Sequence, residues 1–364
     1  MDMHRVLVIG AGKIGSLISV LLANSKDYEV HLADINIDAA HLKRIRENTM
    51  NLNLVALDAL NNGDLSAFLQ KNPMETIVSS LPYYCNITVA KVAKEFNLNY
   101  FDLTEDTHTA STVSDLASHV TSAFVPQCGL APGFISVVAN DLMEHFQALD
   151  SVKMRVGALP TNISNALQYS LTWSTDGLIN EYGNLCQAVI NGKEVHTLPL
   201  EDLEEIKIDG LTYEAFNTSG GIGSLANSYN GKVKNISYKT IRYPGHCEKM
   251  RLLMNDLKLN DDRDTLKRIL ENSIPKTSQD VVLVYVSVTG QQDQHLSEEN
   301  YVKKFYPKKI NGQNWSAIQL TTASEVCAIL DLIVSQKGKF KGLVKQEQFS
   351  LKDITSNRFG QYYA

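Results

Sequence analysis

The hexapeptide Gly10-Ala11-Gly12-Lys13-Ile14-Gly15 constrains this chain more than any other stretch, because of what flanks it. Residues 5–9 (RVLVI) are an apolar run of strand length directly before it, and residues 14–24 are an apolar, helix-patterned segment directly after it. A G-x-G-x-x-G turn between a strand and a helix is the setting in which backbone amides cradle a diphosphate. Gly10 permits the tight turn, Gly12 lets the backbone approach the pyrophosphate, and Gly15 lets helix and strand pack closely. Lys13 and Ile14 fall in the first helical turn, whose N–H groups and dipole favour an anion.

The next hundred residues repeat the same grammar. Short apolar runs at residues 30–33, 52–57, 76–81, 100–103 and 123–126 alternate with helical patterns at 37–48, 65–72, 84–96 and 111–120. Strands separated by helices predict an α/β Rossmann fold, a doubly wound parallel sheet covered on both faces, over residues 1–130. After Gly133 the pattern changes. Residues 134–146 read as a connecting helix, followed by strand-like runs at 152–159, 167–173, 194–198, 205–208, 234–242 and 281–288. Helical spacing appears at 248–257, 264–272 and 322–336. This predicts a second, α+β domain with a mixed or antiparallel sheet over 131–320, with 321–364 as a C-terminal segment. The glycine-rich stretch 219–224 (SGGIGS) lacks a strand-to-helix context and reads as a flexible loop.

With 364 residues, two domains are the natural expectation. A net charge of −6 without a basic run argues against nucleic acid as a partner. The five cysteines are scattered, with no C-x-x-C pair, which argues against a disulfide framework and against a metal site, and fits a cytoplasmic protein. The opening strand leaves no room for a signal peptide, and the apolar run at 14–23 is too short to span a membrane.

In an open parallel sheet, ligands gather beyond the carboxyl ends of the strands. Asp34 ends the second run, about twenty residues past the glycines, where a carboxylate accepts hydrogen bonds from ribose hydroxyls and repels a 2′-phosphate. No arginine stands immediately after it, so NAD is expected rather than NADP; the competing reading is a capping acid. Asp58 ends the third run, on the adenine side. Ser79, Ser80, Leu81 and Pro82 end the fourth and suit a nicotinamide ribose, with Asp102 and Leu103 ending the fifth. Asp102, Glu105 and His246 are the candidates for proton transfer, each with a bland alternative as a turn acid or a structural imidazole. Cys128, at the end of the sixth run, is expected near substrate as a packed thiol rather than a nucleophile. In the second domain, Arg242 and Tyr243 within TIRYPGH are candidate substrate contacts, the arginine through a two-pronged grip on a carboxylate. An ordinary ion pair is its alternative. Trp173, with Glu181 and Tyr182 downstream, places an aromatic and a carboxylate near such a pocket; Trp173 alone reads as core.

These pieces together resemble the saccharopine dehydrogenase family: VIGAGKIG, SSLPYY, YFDLTED, PQCGLAPGF, LTWSTDGLINEYGN, KTIRYPGH and the tail KGLVKQEQFSLKDITSNRFGQYYA. The resemblance runs from the first strand to the last residues. It implies a Rossmann domain, an inserted substrate domain, a C-terminal segment returning to the first domain, and homodimers. It also implies reversible, nicotinamide-dependent oxidation of a C–N bond in a lysine-derived amino acid, with Ser79 to Pro82, Asp102 and Leu103 lining the nicotinamide and Arg242 holding a carboxylate. The block TWSTDGLINEY resembles lysine 6-dehydrogenases more than the fungal saccharopine reductases, whose NADP preference Asp34 does not match. Two further readings are a carboxynorspermidine-type dehydrogenase and a non-catalytic NAD-binding sensor or scaffold.

Overall fold

The computed structural model describes residues 3–364. Where apolar runs are bounded by turn residues, strands form close to the expected places. The order is β1 (His4–Ile9), α1 (Lys13–Asn24), β2 (Tyr28–Asp34), α2 (Ala40–Glu47), β3 (Leu52–Ala56), α3 (Asn62–Lys71), β4 (Thr76–Ser79), α4 (Asn86–Glu95), β5 (Asn99–Asp102), α5 (Thr107–Leu116) and β6 (Ala123–Val125). Then follow α6 (Phe134–Met143), β7 (Ala148–Pro160), α7 (Thr175–Gly183), β8 (Cys186–Ile190), β9 (Lys193–Thr197), β10 (Glu204–Ile208), β11 (Leu211–Asn217), α8 (Leu225–Ser228) and β12 (Val233–Arg242). The chain ends with α9 (His246–Arg251), α10 (Arg263–Ser273), β13 (Asp280–Gln292), β14 (His295–Phe305), β15 (Lys308–Ile310), β16 (Gln313–Trp315), α11 (Ala317–Ser335), β17 (Gly342–Leu343) and α12 (Leu351–Ser356).

Two units emerge. One runs to Gly129 and resumes over Gln319–Gln348 and Lys352–Ala364; the other comprises Leu130–Ile318 with Phe349–Leu351. The first unit holds a seven-stranded sheet in the order β17-β6-β5-β4-β1-β2-β3, parallel throughout. Strand order reverses between β1 and β4, which opens the crevice at which nucleotides bind in doubly wound sheets. Buried Leu7, Ile9, Ile77, Tyr100 and Phe124 on the strands meet Val89, Ala93 and Val113 of α4 and α5, giving the sheet one apolar layer. α11 has the length and hydropathy to cross a membrane, but 72% of its apolar window is buried inside the structure. It lies against α1, where the Cys327 thiol reaches the Ile18 carbonyl.

The second unit is built on an eight-stranded mixed sheet, β10-β11-β12-β7-β13-β14, with the β8–β9 hairpin attached to β12. β7 pairs parallel with β12 and antiparallel with β13, so the sheet is mixed at its centre. The expected strand at 167–173 does not form. Gln168 adopts a left-handed φ of 52°, Asn165 bonds the Tyr169 carbonyl through its side chain, and the segment runs as buried irregular backbone. The stretch 219–224 is a loop as expected, but it is packed rather than flexible: a Cβ on Gly221 would lie 2.1 Å from the Tyr238 ring. The helix expected over 248–257 starts as α9 and widens into a π-turn at Leu252–Asp256.

Candidate active site

In the first unit the glycine turn has the shape a diphosphate requires. Gly10 has φ +101° and a Cβ there would sit 2.7 Å from the Ser80 carbonyl oxygen, so only glycine fits. A Cβ on Gly15 would approach the Gly10 carbonyl to 2.0 Å, which is the close strand–helix contact expected of the third glycine. Gly12, by contrast, faces open space with nothing within 4 Å of a Cβ position, and α1 has no side-chain cap. An exposed, uncapped helix start beside open volume fits a pyrophosphate held on backbone N–H groups. Lys13 is exposed and Ile14 half-buried at that same turn.

Asp34 is half-buried at the end of β2 and does not cap α2, whose N-cap is Ala39. Its Oδ2 accepts the Ala11 N–H at 2.7 Å and its Oδ1 the Asn36 N–H at 3.0 Å. The carboxylate is thereby fixed against the glycine turn, where ribose hydroxyls are expected. Asp58 is exposed after β3 and accepts the Leu60 N–H at 3.0 Å. After β4, Ser80, Leu81 and Pro82 are half-buried, whereas Ser79 is fully buried and donates to Asn86 Oδ1 at 2.7 Å. Ser79 therefore ties β4 to α4 while its neighbours line the strand end; Asn86 carried no sequence signal.

Asp102 lies elsewhere in chemical terms than the sequence suggests. It is fully buried; Oδ1 accepts the Thr104 and Gln127 N–H groups, both at 3.0 Å, and Oδ2 accepts the Tyr100 hydroxyl at 2.8 Å. Burial holds its pKa above the usual carboxylate value despite these donors. A group so enclosed clamps the β5 and β6 ends together, which argues against the expected proton transfer. Leu103, next along, is half-buried. Cys128 is also fully buried; burial first, then Glu325 and Asp102, push its thiol well up. The packed-thiol reading fits this geometry, and a substrate contact does not.

The second unit contains a buried aromatic cluster around one cation. Arg242, at the end of β12, is 3% exposed. Its Nε donates to the Tyr182 hydroxyl at 2.8 Å and its Nη1 to the Ile241 carbonyl at 2.8 Å. The guanidinium carbon lies 5.2 Å from the Tyr169 ring centroid and 5.8 Å from that of Tyr182. Among the described residues no carboxylate stands within ion-pair distance of Arg242, and no hydrogen bond engages its Nη2. The sequence alternative, an ordinary ion pair, is not what forms.

Tyr182 lies on α7, whose start is fixed by Ser174, its Oγ accepting the Gly177 N–H at 3.2 Å. Trp173 is half-buried, with Nε1 donating to the Tyr169 hydroxyl at 3.2 Å, and so belongs to the cluster and to the core at once. Glu181 and Tyr238 are buried in the same neighbourhood. Tyr243 is not. Successive strand residues face opposite sides, and Tyr243 stacks on Tyr213 and donates to the Pro160 carbonyl at 2.9 Å on the sheet's other face. His246 is 1% exposed; burial, then the Arg242 charge, push its pKa down to about 3. An imidazole that stays neutral and enclosed across the physiological range does not meet the expected role of proton relay. Tyr169 was invisible to sequence reasoning because its segment has a strand-like composition. Among the described residues the five cysteines are free and no His, Cys, Asp or Glu group is arranged for a metal ion.

Two family models cover this architecture almost end to end. One, described as the saccharopine dehydrogenase NADP binding domain, matches residues 6–125, and one described as the saccharopine dehydrogenase C-terminal domain matches 129–360. The mouse protein alpha-aminoadipic semialdehyde synthase, mitochondrial, is 24% identical over 258 residues, covering 67% of this chain and 27% of that protein; the chain thus spans about a quarter of the relative's length. Among solved structures, apo saccharopine dehydrogenase (L-Glu forming) from Saccharomyces cerevisiae matches with a TM-score of 0.74 at 16% identity, over 97% of this chain and 95% of that one. At that identity the likeness speaks to the fold.

Proposed function

The chain belongs to the saccharopine dehydrogenase family, and on that premise we propose that it is an NAD-dependent oxidoreductase acting on the C–N bond of a lysine-derived amino acid. The observation that carries the amino-acid reading is the buried Arg242, whose hydrogen-bonded partners are all neutral. The buried Glu181 carboxylate acts on it at a distance but forms no ion pair with it. Burying a guanidinium is costly, and a ligand carboxylate supplies an anion in direct, hydrogen-bonded contact. Its planar fork suits two parallel hydrogen bonds to that group.

The family places the chain among oxidoreductases with a nicotinamide-binding fold; the choice of NAD rests on Asp34. Its fixed carboxylate repels a 2′-phosphate, and the four residues after it, Ile35 to Asp38, include no arginine to attract one. The chemistry a bound nicotinamide supplies is hydride acceptance from the amine-bearing carbon, after which water hydrolyses the imine. The chain's own part is to hold the pyrophosphate on the Gly10–Gly15 turn, the ribose on Asp34 and the carboxylate on Arg242. Of Asp102, Glu105 and His246, only Glu105 is not fully enclosed, so we assign it the proton.

Saccharopine is the first substrate to try and L-lysine the second, the latter favoured by the TWSTDGLINEY block. The experiment is NADH formation by the purified chain with saccharopine, L-lysine and polyamine carboxylates, run beside a binding titration with NAD. Turnover of one amino acid, with its KM raised sharply by Arg242→Ala, supports the proposal. Tight NAD binding with no turnover of any of them leaves the sensor reading in its place.

A further inference from the structure

We propose that Tyr182 and His246 form a positioning relay that starts at the Leu167 carbonyl and sets the orientation of the Arg242 guanidinium. The relay rests on the reading of Arg242 as the carboxylate anchor, and neither Tyr182 nor His246 touches the carboxylate itself.

The polarity of each bond follows from its neighbour. His246 Nδ1 lies 2.7 Å from the Leu167 carbonyl oxygen, which can only accept, so Nδ1 carries the proton. A neutral imidazole protonated there presents a lone pair at Nε2, and the Tyr182 hydroxyl stands 3.1 Å from it. Tyr182 therefore donates its proton to His246. Its oxygen is left as an acceptor, and the Arg242 Nε donates to it at 2.8 Å. Burial and the adjacent guanidinium both disfavour a second proton on the ring, so the direction of the relay is stable. If Nε2 were protonated, it would compete with Arg242 for the same tyrosine oxygen.

The anchor of the relay is itself fixed. The irregular segment carrying Leu167 is held by the Gln168 N–H on the Asn165 carbonyl and by Gln168 Nε2 on the Pro244 carbonyl at 2.7 Å, two residues before His246. Phe216 stacks on the imidazole with ring planes 16° apart. With Nε pinned to Tyr182 and Nη1 to Ile241, rotation of the guanidinium about its long axis is blocked, and Nη2 is the nitrogen left over for a ligand. A planar group recognising a planar carboxylate gains most when its orientation is set before binding.

A buried hydrogen-bonded network also has a plain structural use, and the experiment separates the two. Wild type, Arg242→Ala, Tyr182→Phe and the double variant are compared in the full chain, with saccharopine and L-lysine as amino acids and NAD as cofactor. We expect Tyr182→Phe to raise the amino-acid KM about tenfold, the loss typical of a hydrogen bond to a charged group. kcat stays within about twofold and the KM for NAD is unchanged, and in the Arg242→Ala background the same substitution adds less than about twofold, because it acts only through the guanidinium. His246→Gln, whose amide oxygen can still take the tyrosine proton, keeps the amino-acid KM within about threefold, and His246→Phe reproduces Tyr182→Phe. Full additivity of Tyr182→Phe with Arg242→Ala, or a kcat loss without a KM change, overturns the relay. If Tyr182→Phe behaves as wild type while Arg242→Ala does not, the relay fails and the anchor stands. If wild type turns over neither amino acid, the anchor reading fails and the relay with it.

Discussion

Replacing His246 by glutamine gives the most direct quantitative test of how this interior is built. The imidazole is held at a pKa of about 3, against an ordinary value of 6.5, chiefly by burial. The unfolded chain therefore binds a proton that the folded chain refuses. The stabilising contribution is complete above pH 6.5, the unfolded value, and is lost as pH falls from there toward 3, the folded value. Linkage between two such values costs the wild type about 2 kcal/mol between roughly pH 7.5 and pH 5, and about 1.4 kcal/mol for each further unit. Glutamine does not titrate, so the difference between wild type and variant isolates this one group from every other acid and base. Both tryptophans, Trp173 and Trp315, lie in the second unit with His246, so their fluorescence follows the unfolding of that unit. With a urea dependence of about 2 kcal/mol per molar, the wild-type midpoint should fall by about 1 M relative to the variant over that pH range. Parallel midpoints from pH 7.5 to pH 5 (about two and a half units) would falsify the neutral-histidine geometry, and the relay direction with it.

Other expectations follow from single positions. Gly15→Ala places a Cβ 2.0 Å from the Gly10 carbonyl and should abolish NAD binding in a calorimetric titration while the Trp173 and Trp315 emission of the second unit is retained. Asp34→Ala removes the carboxylate fixed on the Ala11 N–H; the ratio of kcat/KM for NAD over NADP should drop at least about tenfold, and an unchanged ratio refutes its assigned role. Glu325 is fully buried on α11, and neither carboxyl oxygen has a hydrogen-bond partner among the described residues. Burial raises its pKa well above 4.5, so its cost is smallest below that value and grows as pH rises; Glu325→Leu should stabilise the first unit by about 1–3 kcal/mol near neutrality, and less at pH 4, in calorimetric unfolding scans. Gly221→Ala drives a methyl into the Tyr238 ring and should lower the urea midpoint read by tryptophan fluorescence by the equivalent of about 1–3 kcal/mol.

What the sequence reveals here depends on whether one residue's environment is set by its own neighbours. In the first third the central strands β1, β4, β5 and β6 are largely buried runs, while β3 at the sheet edge is fully buried only at Leu52, and the alternation of strands with helices is legible throughout. The shortfall at α2 is local chemistry: Asn36 and Asp38 N–H groups bond the Asp34 and Asn36 side chains, which holds a loop where helical spacing begins at 37. In the second unit the edge strand β14 (HLSEENYVKKF) alternates exposed with half-buried positions, and its mostly polar lettering hides that period. The glycine turn and Asp34 are legible because a nucleotide site is made of backbone at fixed spacing. Arg242, Tyr182 and His246 stand in the sequence as candidates, yet what each does depends on the carbonyl of Leu167 and the ring of Tyr169, nearly eighty residues upstream of His246. Enclosure decided the fate of Asp102 and Cys128, and no spacing rule reports enclosure.

The seventh strand of the nucleotide-binding sheet, β17, pairs with β6 although more than two hundred residues separate them, and α11 covers α1 from the same distant stretch. During synthesis the six earlier strands emerge with one flank of their sheet open and one helix missing its cover. That domain can mature only after the whole of the second has left the ribosome. A deletion near the carboxyl terminus is therefore an injury to the domain at the amino terminus, and dinucleotide affinity, rather than amino-acid affinity, is where its damage should be sought.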